Sequence, residues 1–136
     1  MDDTPAIVID AGAREWRCGF SDDDGPAVVL PSPPPGGGFA AWKTQLDEAF
    51  TALEADPTEH CVVLSERPGT SPAAREAMAT TLFSDHGIAG LWMVAAPLLA
   101  LFNSGRDTGV LVDIGERATY IPVSYTHLTL PTICSV

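Results

Sequence analysis

Two stretches of this chain repeat one pattern, a run of apolar and mostly β-branched residues that ends in Asp, one further residue and Gly. The two copies occupy residues 8–12 and 111–115. Such a run is typical of a strand that is buried on both faces of a parallel or mixed sheet. The Gly permits a sharp turn in which backbone N–H groups can approach an anion, and the Asp can hold a hydrated Mg²⁺. Two such turns facing each other would clamp the phosphates of a nucleotide, whereas the alternative is two ordinary exits from strands.

The composition favours a folded domain, because 46% of the 136 residues are hydrophobic. The formal net charge of −11 argues against nucleic acid or an anionic membrane as a partner. The most apolar stretch, residues 87–102, is interrupted by Pro97 and is shorter than the roughly 20 residues that span a bilayer. Residues 1–5 lack the basic segment of a secretory signal, and Cys18, Cys61 and Cys134 lack metal-ligand spacing. These features predict a reduced, cytosolic or nuclear protein, with Cys18 and Cys61 acting as small apolar residues in strands.

The hydrophobic pattern predicts three strands that can pair antiparallel, followed by alternating helices and strands. The predicted strands are residues 6–9, 16–20, 27–30, 61–64, 91–94 and 109–112. The first helix carries its apolar face on Trp42, Leu46, Ala49, Phe50 and Leu53. A second helix starts after the N-cap Ser71 and stops at Gly87, and a third ends near Asn103. This order predicts a mixed α/β fold.

Two irregular segments separate these elements. Residues 31–38 read Pro-Ser-Pro-Pro-Pro-Gly-Gly-Gly, which predicts a stiff piece joined to a flexible hinge. A ligand for a proline-recognition domain is the alternative for this segment. The acidic residues 22–24 favour a solvated turn over a metal site.

The chain resembles the opening of actin and the actin-related proteins over residues 6 to about 123. The matching motifs occur in the family's order: Ile9-Asp10-x-Gly12, Cys18-Gly19-Phe20, Asp22-Asp23, Gly25-Pro26, Pro31-Ser32, residues 60–66 (His-Cys-Val-Val-Leu-Ser-Glu), Arg75-Glu76, Met78, Leu82-Phe83, Ser104-Gly105-Arg106, Thr108-Gly109 and Asp113-x-Gly115. The resemblance implies an actin-like, ribonuclease H-like ATPase fold. We expect a partial first lobe, with a mixed sheet and flanking helices.

The resemblance also implies a binding site for ATP or ADP with Mg²⁺. In that site Asp10 and Asp113 would hold Mg²⁺ through water, and Gly12 and Gly115 would belong to the two phosphate loops. Arg17 stands where the family has a lysine that reaches the β- and γ-phosphates, which exchanges a point donor for a planar fork. Glu116 stands for an acidic residue of the second loop.

Departures from the family pattern concentrate in the same site. Ala13 replaces a hydroxyl that touches the γ-phosphate, and Arg14 replaces a second glycine. Ala96 falls where the family has the glutamine that positions the attacking water, and Tyr120 falls where it has a histidine. Hydrolysis of this kind depends on positioning a water against the phosphate. We therefore assign no catalytic residue and expect no hydrolysis at an actin-like rate.

In actin a small subdomain follows the third strand, and in this chain residues 33–38 stand in its place. The domain is thus predicted as residues 1–122, and an exon lost from the gene model is an alternative reason for the missing subdomain. The resemblance implies a divergent actin-related subunit in the cytoplasm or cytoskeleton, whose partners are other actin-family or complex subunits rather than nucleic acid or membrane. The alternatives are an active ATPase that forms filaments, a nuclear subunit of a chromatin remodeller, and a sugar-kinase or chaperone relative. Cys18-Gly19-Phe20 and Ser104-Gly105-Arg106 favour actin over the last of these.

Residues 123–136 stop resembling actin and instead resemble a translated sequencing adapter. The alternative is a genuine terminal strand. We expect this segment to be non-native, which would make residues 1–122 the first part of a larger protein, and His127 and Cys134 are accordingly not interpreted as ligands.

Overall fold

The fold is built on a five-stranded mixed sheet, and the computed structural model describes residues 4–125, 128–130 and 133–134. The strands of this sheet are β1 (Ile7–Ala11), β2 (Glu15–Phe20), β3 (Val28–Pro31), β4 (Cys61–Glu66) and β5 (Gly90–Ala95). They lie in the order β3-β2-β1-β4-β5. β1, β2 and β3 pair antiparallel, whereas β4 pairs parallel with both β1 and β5. The predicted mixed α/β fold is confirmed.

Within the described residues, three α-helices connect and flank these strands, and a 3-10 turn (Pro57–Glu59) precedes β4. The α-helices are α1 (Gly38–Ala52), α2 (Pro72–Thr80), which continues as a π-helical turn (Thr81–Asp85), and α3 (Ala96–Asn103). The predicted apolar face of α1 is buried at Leu46, Ala49, Phe50 and Leu53, while Trp42 is half-buried. Ser71 caps α2 as predicted, since its Oγ accepts a hydrogen bond from the Ala74 amide at 3.2 Å. The helix pattern therefore located each helix correctly.

The core lies on one face of the sheet. Alternate residues of three neighbouring strands point to this face and are buried: Ile7, Ile9, Trp16, Cys18, Val62 and Leu64. They form one cluster with Leu46 and Phe50 of α1 and with Leu82 of the π-helical turn. On the opposite face, Val29 and Trp92 are 53% and 52% exposed and Val8 is half-buried. The prediction that β1 is buried on both faces is wrong, because the second face is covered incompletely.

The second Asp-x-Gly copy does not lie in the five-stranded sheet. Its first two residues, 111–112, connect β6 (Gly109–Val110) to β7 (Asp113–Ile114), and these two strands belong to two separate three-stranded ribbons. Val110, Val112 and Ile114 are 64%, 56% and 78% exposed. The predicted buried strand over residues 109–112 is wrong. The run is apolar, but among the described residues its strands pair with short segments further along the chain, and its side chains stay exposed.

The remaining strands of the ribbons come from the end of the described chain. They are β8 (Thr119–Tyr120), β9 (Val123–Tyr125), β10 (Leu128–Leu130) and β11 (Ile133–Cys134). β9 pairs with β6 and β10, while β8 pairs with β7 and β11. Strand pairing of residues 123–134 does not test where that segment comes from, so its non-native origin stays a prediction. His127 lies outside the described residues.

The two irregular segments lie between regular elements, although Pro31 ends β3 and Gly38 begins α1, so the first segment is shorter than predicted. Residues 32–37 connect β3 to α1 through a turn in which the Gly37 amide donates to the Pro34 carbonyl at 3.1 Å. Gly36 within it has φ +84°, a conformation that favours glycine. Residues 21–25 form an exposed turn between β2 and β3. In the described part of the chain, no helix combines the length and the apolar character that crossing a membrane would require.

Candidate functional site

The two Asp-x-Gly turns line a single open cleft of about 1120 Å³. Every residue that the sequence analysis assigned to cofactor or metal binding lies on its wall: Asp10, Gly12, Ala13, Arg17, Asp113, Gly115 and Glu116. The cleft is large enough for a small-molecule ligand, since such pockets usually measure about 300–1,000 Å³. The fold thus brings together the two sequence copies, although they are about a hundred residues apart.

The first turn is the connection of the β1–β2 hairpin. The Gly12 amide donates to the Asp10 carbonyl at 3.1 Å, and Ser32 fastens the turn from outside. The Ser32 hydroxyl donates to the Gly12 carbonyl, and its amide donates to the Arg14 carbonyl at 3.0 Å. A Cβ at position 12 would lie only 2.7 Å from the Glu15 carbonyl oxygen, so the closed turn requires glycine there.

Ser65 fixes the Asp10 side chain at the rim of the cleft. Its hydroxyl donates to Asp10 Oδ1 at 2.8 Å and accepts a hydrogen bond from the Ala11 amide at 2.9 Å. Ser65 is buried at the end of β4, whereas Asp10 is half-buried and faces the cleft. The serine therefore orients the carboxylate and ties the end of β1 to β4. The sequence analysis read residues 61–64 only as an apolar strand and missed this role.

The second turn joins β7 to β8 and is closed in a similar way. The Gly115 amide donates to the Ala118 carbonyl at 3.0 Å. A Cβ on Gly115 would lie 3.2 Å from the same oxygen, so this turn is less crowded than the first. Asp113 is half-buried, and Gly115 and Glu116 are exposed to the cleft.

Arg17, predicted to reach phosphates, is held by an acidic neighbour. Its Nε donates to Glu15 Oε1 at 3.0 Å, and its terminal nitrogen makes an ion pair with the same oxygen. Arg17 also lies directly across the hairpin from Asp10 in the strand register. An exposed pair of this kind is worth about 1 kcal/mol or less, so an anion in the cleft could take over the guanidinium at small cost.

The cleft concentrates positive charge in an acidic chain. Four of the chain's seven Lys and Arg side chains line it, namely Arg14, Arg17, Arg67 and Arg117, although the chain's net charge is −11. Its acidic residues are Asp10, Glu15, Glu66, Asp113 and Glu116. The cleft is therefore close to neutral overall, with guanidinium groups available beside carboxylates. This arrangement suits a ligand that combines phosphates with a cation.

Glu66 and Arg67 were missed by the sequence analysis, and both directly follow Ser65. Glu66 Oε2 lies 3.0 Å from Arg75 Nε, so the two side chains form an ion pair. The angle between them does not allow a hydrogen bond. Both could have been predicted as site residues, because ligands of open α/β sheets bind beyond the carboxyl ends of the strands. Both residues stand at the end of the parallel strand β4.

The proposed metal ligands fit a hydrated ion rather than a fully protein-bound one. Among residues 4–125, no group of three or more His, Cys, Asp or Glu side chains could hold a metal ion. Mg²⁺ keeps several waters and is commonly bound through one or two carboxylates together with substrate phosphates. Asp10 and Asp113, one from each turn, could supply such carboxylates. Their assignment to Mg²⁺ stays a prediction.

Ala96 and Tyr120, which stand where the family has the water-positioning glutamine and a histidine, also line the cleft. Ala96 is the first residue of α3 and offers only a methyl group, and Tyr120 is half-buried in β8. A methyl group has no donor or acceptor with which to orient a water. The Ala96 side chain itself therefore cannot orient a water.

The described cysteines differ sharply in environment. Cys18 is buried on the core face, and burial, together with the negative charge of Asp10, raises the pKa of its thiol to about 11. Cys61, expected to act as a small apolar residue, is exposed at the start of β4, so that prediction is wrong. The first position of a strand lies at the sheet's rim, where packing is incomplete. The Cys134 side chain lies outside the described part of the chain.

A protein-family model described as Actin matches residues 40–131, which is more than half of the chain. The matched range contains α1, β4, α2, β5 and α3 and the second Asp-x-Gly turn, whereas the first turn precedes it. The mixed sheet with flanking helices fits the α/β fold expected of that family. The chain belongs to the actin family.

Proposed function

We propose that this chain is a divergent actin-related subunit that binds the phosphates of a Mg²⁺-nucleotide in its cleft and does not hydrolyse ATP at an actin-like rate. The observation that carries the proposal is the convergence of Asp10, Asp113 and several arginines on one cleft between two hairpin turns. Nucleotide would serve here as a structural ligand. Ser65 would hold the Asp10 carboxylate in one orientation toward the hydrated ion.

The absence of hydrolysis follows from what lines the same cleft. In-line attack requires a group that positions water, and the side chains of Ala13 and Ala96 have no polar atom with which to do so. Phosphate release from ATP by the purified chain should therefore be far slower than that of an actin. Turnover at the rate of an actin would contradict this part of the proposal.

The architecture of the proposed subunit is a partial first lobe in which residues 33–38 replace the small subdomain that follows the third strand in actin. The proposal is supported by the direct connection of β3 to α1 and by the incompletely covered outer face of the sheet, where Val29 and Trp92 are exposed. Further protein, either more of the same polypeptide or a complex subunit, would cover that face. The changed first loop and the short linker resemble the actin-related protein at the pointed end of dynactin, so a cytoplasmic assembly of that kind is the first to examine.

Binding of Mg²⁺-ATP and Mg²⁺-ADP by isothermal titration calorimetry tests the nucleotide proposal. Asp10→Asn and Asp113→Asn keep side-chain size and hydrogen bonding but remove one charge each, so each should weaken Mg²⁺-dependent binding by roughly tenfold or more. Asp24→Asn, in the exposed turn between β2 and β3, is the matched control and should leave affinity unchanged. Absence of binding, or equal affinities for the three variants, would refute the proposal.

A further inference from the structure

The two turns share one position beyond the Asp-x-Gly pattern. Residues 10–14 read Asp-Ala-Gly-Ala-Arg, and residues 113–117 read Asp-Ile-Gly-Glu-Arg, so an arginine stands two residues after each glycine. Both turns connect antiparallel strands, β1 to β2 and β7 to β8. Arginine has no special preference for such turns, so turn formation alone does not explain the repetition.

The side chains of Arg14 and Arg117 both line the cleft and both are exposed. Within the described part of the chain, neither makes a side-chain hydrogen bond or ion pair. Arg17, Arg75 and Lys43 are each paired with a carboxylate. The two turn arginines thus keep their full donor capacity although acidic side chains line the same cleft.

One amide of each turn is already used within that turn. The amides of Gly12 and Gly115 donate to carbonyls of their own turns, at 3.1 and 3.0 Å, and are not offered to the cleft. These two amides are not available to an anion between the turns, whereas the Arg14 and Arg117 side chains line the same cleft. A guanidinium group presents a planar fork that binds a phosphate through two parallel hydrogen bonds.

We infer that Arg14 and Arg117 form a two-sided guanidinium clamp on the phosphate chain of the ligand, one arginine from each turn. This inference rests on the proposed function and deepens it, because it assigns recognition to the phosphate chain rather than to the base. The ligand class is an oligophosphate carried by a nucleoside, and inorganic tripolyphosphate should bind through the same two side chains.

The test measures binding of inorganic tripolyphosphate, and separately of Mg²⁺-ATP, to the 136-residue chain by calorimetry at fixed ionic strength. Arg14→Ala and Arg117→Ala should each weaken tripolyphosphate binding by roughly tenfold or more, and Arg14→Lys should lie between wild type and Arg14→Ala. Arg106→Ala is the matched control, because Arg106 is exposed and lies outside the cleft. Thermal melts by circular dichroism establish that each variant is folded.

The outcomes separate the clamp from the proposed function. If wild type binds Mg²⁺-ATP and the two cleft variants bind both ligands like Arg106→Ala, the clamp is overturned and nucleotide binding stands. If tripolyphosphate binds in an arginine-dependent way but neither Mg²⁺-ATP nor Mg²⁺-ADP binds, the clamp is supported and nucleotide binding is overturned. If neither ligand binds, both are overturned.

Discussion

Replacing Ser65 with alanine should destabilise the fold more than any other single deletion of a hydroxyl at the cleft. The Ser65 side chain is buried and makes two hydrogen bonds, one to the Asp10 carboxylate and one from the Ala11 amide. A hydrogen bond to a charged group contributes about 1.5–3 kcal/mol and a neutral one about 0.5–1.5 kcal/mol. Because Asp10 is half-buried, water can form part of the hydrogen bonding that its carboxylate loses. We therefore expect the free energy of unfolding to decrease by about 2–3 kcal/mol.

Urea denaturation followed by tryptophan fluorescence measures this change. Ser21→Ala is the matched control, because the Ser21 hydroxyl also accepts a hydrogen bond from a backbone amide, that of Ala6 just before β1, but does so in an exposed position. Ser21→Ala should lower the free energy of unfolding by about 0.5 kcal/mol or less. A double-mutant cycle between Ser65→Ala and Asp10→Ala should give a coupling energy of about 1 kcal/mol or more. A Ser65→Ala variant as stable as Ser21→Ala would refute the reasoning.

Three further predictions concern the first turn and the cysteines. Gly12→Ala should lower the free energy of unfolding by about 1–3 kcal/mol, because its Cβ would lie 2.7 Å from the Glu15 carbonyl oxygen. Gly25 has open space around it, so Gly25→Ala should stay within about 0.5 kcal/mol of wild type. Urea denaturation measures both changes. In native protein at pH 8, N-ethylmaleimide should label Cys61 rapidly and Cys18 only after unfolding; equal rates by mass spectrometry would contradict the burial of Cys18. The pKa of the Cys18 thiol is raised from 9.0 to about 11, so the folded state holds this proton more tightly than the unfolded state does. Its contribution to stability should be complete below pH 9 and lost as pH rises toward 11, and Cys18→Ala should remove that part of the alkaline decline.

The sheet and helices could be predicted from sequence because their signals are local and agree with the burial. Ile7 and Ile9 alternate with outward residues along β1, and Leu46 and Phe50 recur at helical spacing along α1. Ser71, which carries the cap of α2, is a short-range signal of the same kind. Each of these patterns is satisfied within one element or between neighbouring strands.

The errors occur where burial depends on more distant protein. Residues 111–115 are as apolar as residues 8–12, yet Val112 and Ile114 are exposed, because their short ribbons have no covering layer in the described chain. Hydrophobicity predicts a tendency to be buried but does not supply the partner. Cys61 shows the same limit at the rim of the sheet.

The candidate site was predicted in part, and the missed residues have a common cause. The Asp-x-Gly copies identified both turns of the cleft, but Ser65 and Arg67 lie on its wall through topology rather than through any local motif. The pairing of Arg17 with Glu15 was also missed, because alternate residues of a strand share a face and can pair at close range. To predict Ser65 and Arg67 as site residues, one would have had to know that β1 pairs with β4, which places the end of β4 beside the first turn.

The most direct test of the central claim is a ¹H–¹⁵N correlation spectrum of the labelled chain titrated with Mg²⁺-ADP. The account predicts saturable shifts confined to the cleft, with the Gly12, Ala13, Gly115 and Glu116 amides moving together at one apparent affinity. Both turns must respond, because the proposed ligand lies between them. No saturable shift, or shifts at only one turn, would contradict the account.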